Sequence, residues 1–99
     1  MMRVVIVEDQ AMLLDSLALA IEAQEDMAVV GRLADASLAL DVASRQRADL
    51  VLMDVCTQDG NSGISATRRI KEALPEVRVV VMTGVPEVTF VEQARTAGA

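Results

Sequence analysis

The chain has 99 residues, 53% of them hydrophobic, 24% charged and 1% aromatic, and a formal net charge of −6; this is the size of one small globular domain and too small for two. With no histidine and one cysteine, Cys56, a Cys/His zinc site, a serine–histidine hydrolase and an internal disulfide are excluded. The acidic balance opposes attraction to nucleic acid or to an anionic membrane surface, and no stretch approaches the roughly 20 apolar residues of a membrane helix.

A reducing, cytoplasmic setting is expected, because the opening residues run straight into Val4-Val5-Ile6-Val7-Glu8-Asp9, an apolar stretch too short and too acid-flanked for a signal peptide. Arg3 to Val7 is β-branched and suits a strand covered on both faces, ending at Glu8-Asp9-Gln10. Met12, Leu13, Leu17, Ala20 and Ile21 then recur at helical spacing, with Asp15 and Glu22 opposite and Gln24-Glu25-Asp26 closing the helix. Met27 to Leu33 reads as a second strand interrupted by Gly31. Asp35 or Ser37 is the expected N-cap of a second helix through Leu40, Ala43 and Ser44.

Leu50 to Met53 is the third strand and again ends in an acid, Asp54. Thr57 to Ser62 is dense in turn formers, with Asp59-Gly60 reading first as a turn, and leads into a helix carrying Ile64, Thr67, Ile70 and Leu74 that Pro75 ends. Val77 to Met82 is the fourth strand, ending in Thr83-Gly84. Pro86 opens a last helix through Val88, Val91 and Ala94 to Gly98. The methionines and Phe90 read as core, Cys56 as a small buried hydrophobe, and Lys71 as part of a solvated helix face.

Four β-α units with short connections predict an α/β fold, a flavodoxin-like doubly wound parallel sheet of order 2-1-3-4 with helices on both faces. In such sheets sites form where strands end, so Glu8, Asp9, Asp54 and Thr83 are expected on one edge. Carboxylates held together repel unless a proton or cation intervenes, and an oxygen-only set suits a hard divalent ion such as Mg²⁺. The loop after the first strand has no glycine cradle and carries two negative charges, which argues against a nucleotide or flavin phosphate there. A carboxylate such as Asp54 would be able to attack phosphorus in line and become an aspartyl phosphate.

The strings Val5-Ile6-Val7-Glu8-Asp9-Gln10, Asp49-Leu50-Val51-Leu52-Met53-Asp54-Val55, Val79-Val80-Val81-Met82-Thr83-Gly84 and Ala94-Arg95-Thr96-Ala97-Gly98-Ala99 together resemble the receiver domain of two-component response regulators. The resemblance spans residues 1–99, and in style it is most similar to receivers followed by a DNA-binding helix-turn-helix domain. It implies a signalling domain and not an enzyme, in which Asp54 accepts a phosphoryl group from a partner histidine kinase. It further implies that Glu8, Asp9, Asp54 and the backbone carbonyl of Cys56 hold Mg²⁺, Asp9 directly and Glu8 through water. Thr83, with Gly84, would contact the phosphoryl group and switch an output face on the fourth strand and helix. DNA would be reached only through an effector domain outside residues 1–99.

Two departures qualify the resemblance. After Asp54 the usual Met-Pro pair is absent, and the glycine that follows, Gly63, comes one residue later than usual. Receivers also have a fifth strand ending in a lysine that pairs with the phosphoacceptor; the sequence ends at Ala-Gly-Ala, and Lys71 is its only lysine. The expectation is therefore a receiver lacking its fifth β-α unit, with its fourth strand as an open edge through which, or through the helix-four face, a homodimer or strand-swapped dimer would form. Two other readings stand beside it. One is a receiver-like interaction module not competent for phosphorylation. The other is an aspartate-nucleophile phosphatase of the haloacid-dehalogenase kind, disfavoured because Cys56 stands where the general acid is needed.

Overall fold

The computed structural model describes residues 1–54, 60–82 and 94–99. Chain order is β1 (Met2–Val7), α1 (Ala11–Glu22), β2 (Met27–Leu33), a 3₁₀ turn at Ala36–Leu38, α2 (Ala39–Arg45), β3 (Leu50–Asp54), α3 (Gly60–Ala73) and β4 (Arg78–Met82). The strands pair in the order β2-β1-β3-β4, all parallel. Cys56, Asp59, Thr83, Gly84, Phe90 and the Pro86–Val91 part of the expected last helix lie outside the described residues; residues 94–96 are helical.

Alternation along the central strands sorts the core into two layers. Val5, Val7, Val51, Met53 and Val79 pack against α2, α3 and the 94–99 turn through Ala39, Ala43, Ile64, Ala66, Ile70, Ala94 and Ala97. Val4 and Ile6 face the opposite way onto Ala18 and Ile21 of α1, with Leu14, Leu17, Leu50 and Leu52 half-buried around them. β1 thus has no water-facing side from Val4 onward, as its unbroken β-branched run predicts. On the α1 side the cover thins toward β4, where Val80, in register with Leu52, is 47% exposed.

Several expectations need correction. The buried stripe of α1 is Leu14, Leu17, Ala18 and Ile21, whereas Met12 is 86% exposed and Leu13 and Ala20 also face outward. α1 is apolar on almost every side, so periodicity alone does not choose its face. Met1, Met2 and Met12 are exposed, and only Met53 is a fully buried methionine. α3 begins at Gly60 and takes in the turn formers expected as loop; first-turn N–H groups have no intrahelical partner in any case, so such residues cost little there.

Asp35, not Ser37, is the cap: its Oδ1 accepts from the Ser37 N–H at 2.9 Å and starts the 3₁₀ turn. Gly31 does not interrupt β2. The register shifts by one residue just before it, pairing Val4 with Val29 and Val5 with Gly31, and the Glu22 side chain satisfies the Val29 N–H at 3.0 Å. Gly31 is instead a close-approach residue, since a Cβ there would lie 2.8 Å from Cγ1 of Val42 on α2. Val42 is stiff at χ1 and cannot swing clear, so Gly31→Ala should destabilise the fold by about 1–3 kcal/mol. Urea unfolding checks this, with a lowered midpoint and unchanged slope expected.

Candidate functional site

The carboxyl edge of the sheet gathers the acids. β1 ends at Val7, and the Glu8 N–H still bonds the Leu33 carbonyl at 2.8 Å, so Glu8 continues the ladder and is held between neighbouring strands. Its side chain is 1% exposed. Oε1 accepts the Gln10 N–H at 3.0 Å, which folds the carboxylate back over the start of α1. Oε2 is buried with no hydrogen-bond partner. Asp54, the last residue of β3, is 7% exposed and opposite Met82 of β4. Asp9 is exposed, and one carboxylate oxygen from each of Glu8, Asp9 and Asp54 lies within 4.8 Å of the others.

Two of the three carboxylates have lost nearly all contact with water, and this burial acts on the titration of Glu8. Glu8 is raised from 4.5 to about 7, first by burial, then by its interactions with Asp54. A buried oxygen without a donor beside two further carboxylates is an arrangement that a cation completes. The donor set, all oxygen and two-thirds buried, fits a hard divalent ion that keeps part of its water shell. What these residues can do together is hold such an ion and present Asp54 as a nucleophile beside it.

The structure brings Glu8, Asp9 and Asp54 together as expected. It removes Lys71 from any role there and also corrects its reading as a solvated side chain. Lys71 is half-buried, and its Nζ donates to the Pro75 carbonyl at 3.0 Å and the Val77 carbonyl at 2.8 Å. The signal was present in the sequence as a lysine in the last helical turn four residues before a helix-ending proline. The Gln10 N–H that fixes Glu8 carries no side-chain signature and was not readable.

Comparison with known proteins decides the family. The model of the response regulator receiver domain matches residues 4–99. The chain belongs to that family. The receiver is 33% identical over 82 residues to the oxygen regulatory protein NreC of Staphylococcus haemolyticus, an alignment that covers 83% of this chain and 38% of that protein. It therefore spans little more than a third of the curated relative. Among solved structures, it matches a LuxR-family two-component response regulator from Aurantimonas sp. SI85-9A1 with a TM-score of 0.87 and 31% identity, covering 98% of this chain and 69% of that one. The response regulator domain of Thermotoga maritima CheB matches equally, with a TM-score of 0.87 and 31% identity over 99% and 73% of the two chains. Among the described residues no helix is long and apolar enough to cross a membrane.

The Glu8 shift gives the receiver a pH signature. Its folded value lies above its unfolded one, so without metal its contribution is fully present below about 4.5 and is lost as pH rises toward about 7. The loss is at most on the order of 3 kcal/mol. Thermal melts in chelator should show stability falling between pH 5 and 7, and Glu8→Gln should flatten that slope. A slope unchanged in Glu8→Gln would remove Glu8 as its source.

Proposed function

We propose that this receiver takes a phosphoryl group from a histidine kinase onto Asp54 and thereby switches an output face, in the service of transcription control by an effector domain outside residues 1–99. The observation that carries the reading is the buried pairing of Glu8 and Asp54 at the ends of adjacent strands, with Asp9 beside them. In the transfer, an Asp54 carboxylate oxygen attacks phosphorus as the P–N bond to the kinase histidine breaks, and the imidazole leaves with a proton. Glu8, Asp9 and Asp54 would hold Mg²⁺, and by the resemblance the backbone carbonyl of Cys56, outside the described residues, would be a further ligand. The ion, when bound, neutralises charge on the phosphoryl oxygens. By the same resemblance, Thr83 and Gly84, which lie outside the described residues, would contact the phosphoryl group.

The wider assignment draws on relatives. The Aurantimonas protein is a LuxR-family two-component response regulator and NreC is an oxygen regulatory protein, which supports a regulatory role for this receiver in two-component signalling. A second reading, a module that signals by contact without taking up phosphate, applies to a polypeptide of residues 1–99 alone, whose single lysine is engaged with backbone carbonyls away from the acids.

Incubation with Mg²⁺ and acetyl phosphate separates these two readings from each other and from the phosphatase. Stoichiometric gain of one phosphoryl mass, lost in alkali, absent in Asp54→Asn and reduced in Asp9→Asn at limiting Mg²⁺, is the expected result. Continuing phosphate release would instead favour the phosphatase, and no reaction the contact module. For a polypeptide of residues 1–99, the edge position of β4 and the exposure of Val80 within it also support self-association through that edge. Light scattering at high concentration should show a dimer; a clean monomer would overturn this.

A further inference from the structure

At the edge of the sheet opposite the acids, one run of contacts crosses three strands. The Arg3 N–H donates to Asp49 Oδ2 at 2.8 Å and Arg3 Nε to the Gln46 carbonyl at 2.8 Å. The Asp49 N–H returns to the Arg3 carbonyl at 2.8 Å, and the Asp49 carbonyl accepts the Arg78 N–H at 3.0 Å. From there the run passes to Lys71, whose Nζ holds the carbonyl of Val77, the residue before β4, and that of Pro75. Its ammonium also lies at the carboxyl end of α3, where positive charge is favoured.

The Lys71 stem carries a further element. Gly98 has φ of +106°, and a Cβ there would lie 2.8 Å from Lys71 Cγ and 3.2 Å from Cβ. The Ala99 N–H bonds the Ala94 carbonyl at 3.0 Å and the Gly98 N–H the Arg95 carbonyl at 3.1 Å, the paired closure of a glycine-terminated helix. Ala94 and Ala97 enter the core beneath it. The glycine is required twice, for its backbone angle and for close passage over a side chain.

We propose that Lys71 is a latch, joining the end of α3, the entrance to β4 and the 94–99 turn into one block, and that this block stays fixed when the acidic pocket is charged. Movement on charging is then confined to the opposite edge. The second clause rests on the function proposed above; the first stands independently of it.

Because Lys71 is the only lysine, an amine-acylating reagent reads the latch at one site, with the N-terminal amine as internal control. Lys71 in the folded protein should label at least roughly tenfold more slowly than in urea. Lys71→Met, which keeps the stem and loses the two hydrogen bonds, should speed amide exchange at Gly98 and Ala99 by roughly tenfold or more while the β1 amides stay protected. Labelling at the unfolded rate, or unchanged exchange in Lys71→Met, would overturn the latch. If Lys71→Met fails to fold, Gly98→Ala replaces it, with faster Lys71 labelling expected and an unchanged rate overturning the proposal. Addition of Mg²⁺ and acetyl phosphate should leave Lys71 labelling unchanged in protein whose phosphoryl mass gain is confirmed. A rise in that protein would overturn the fixed-block clause, whereas absence of the mass gain would count against phosphorylation alone.

Discussion

Two carboxylates buried side by side, Glu8 at the end of β1 and Asp54 at the end of β3, are the constraint from which the rest of the molecule's chemistry follows. Neither position is a choice of the side chain. β1 and β3 are adjacent central strands, and where they run out the chain must still satisfy backbone groups, as Glu8 does through the Leu33 carbonyl. The acids are therefore carried into a place that excludes water from both. Ionising such a pair is costly, and the molecule meets the cost with a proton on Glu8 when nothing else is available. A divalent cation would do the same work without the proton, and the buried, unpartnered Glu8 Oε2 is an atom such an ion would satisfy.

The fold was legible because its signal is redundant. Four alternations of β-branched run and amphipathic helix permit few arrangements, and right-handed crossovers reduce these to the observed order. The acids were legible for the same reason: once Val7 and Met53 are placed at the ends of neighbouring strands, the residues after them must converge. What could not be read was anything decided by one surface choosing among equals. α1 offers Met12, Leu13 and Leu19 as readily as Leu14 and Leu17, and only the shape of the Val4–Ile6 layer selects the second set. Lys71 reads as solvated because lysines usually are; its partners are main-chain carbonyls, and the one sequence cue to them is its place in the last helical turn before Pro75.

The register shift in β2 shows how such local choices support the centre. β2 is the edge strand beside β1, and its shift before Gly31 brings that glycine beneath Val42, so α2 sits close over Val5. The Val29 N–H, which faces away from the ladder near the shift, is taken by Glu22 from the end of α1. An edge that would otherwise present a free donor is closed by the preceding helix. Among the described residues no side chain closes β4, the other edge, in this way, and its Val80 is 47% exposed.

The two ends of the strands differ as well, and the difference bears on how a signal would move. At the base, Arg3, Asp49, Arg78 and Lys71 lace β1, β3 and β4 together through backbone and charge-assisted hydrogen bonds. At the carboxyl edge, three carboxyl groups are gathered, and among the described residues Glu8 Oε2 is buried with no hydrogen-bond partner. A structure stitched at one end and electrostatically unsatisfied at the other has an uneven distribution of stiffness. On the proposal made above, a ligand that relieves the acidic end would gain its energy there, while the tied base would resist loosening of the sheet as a whole.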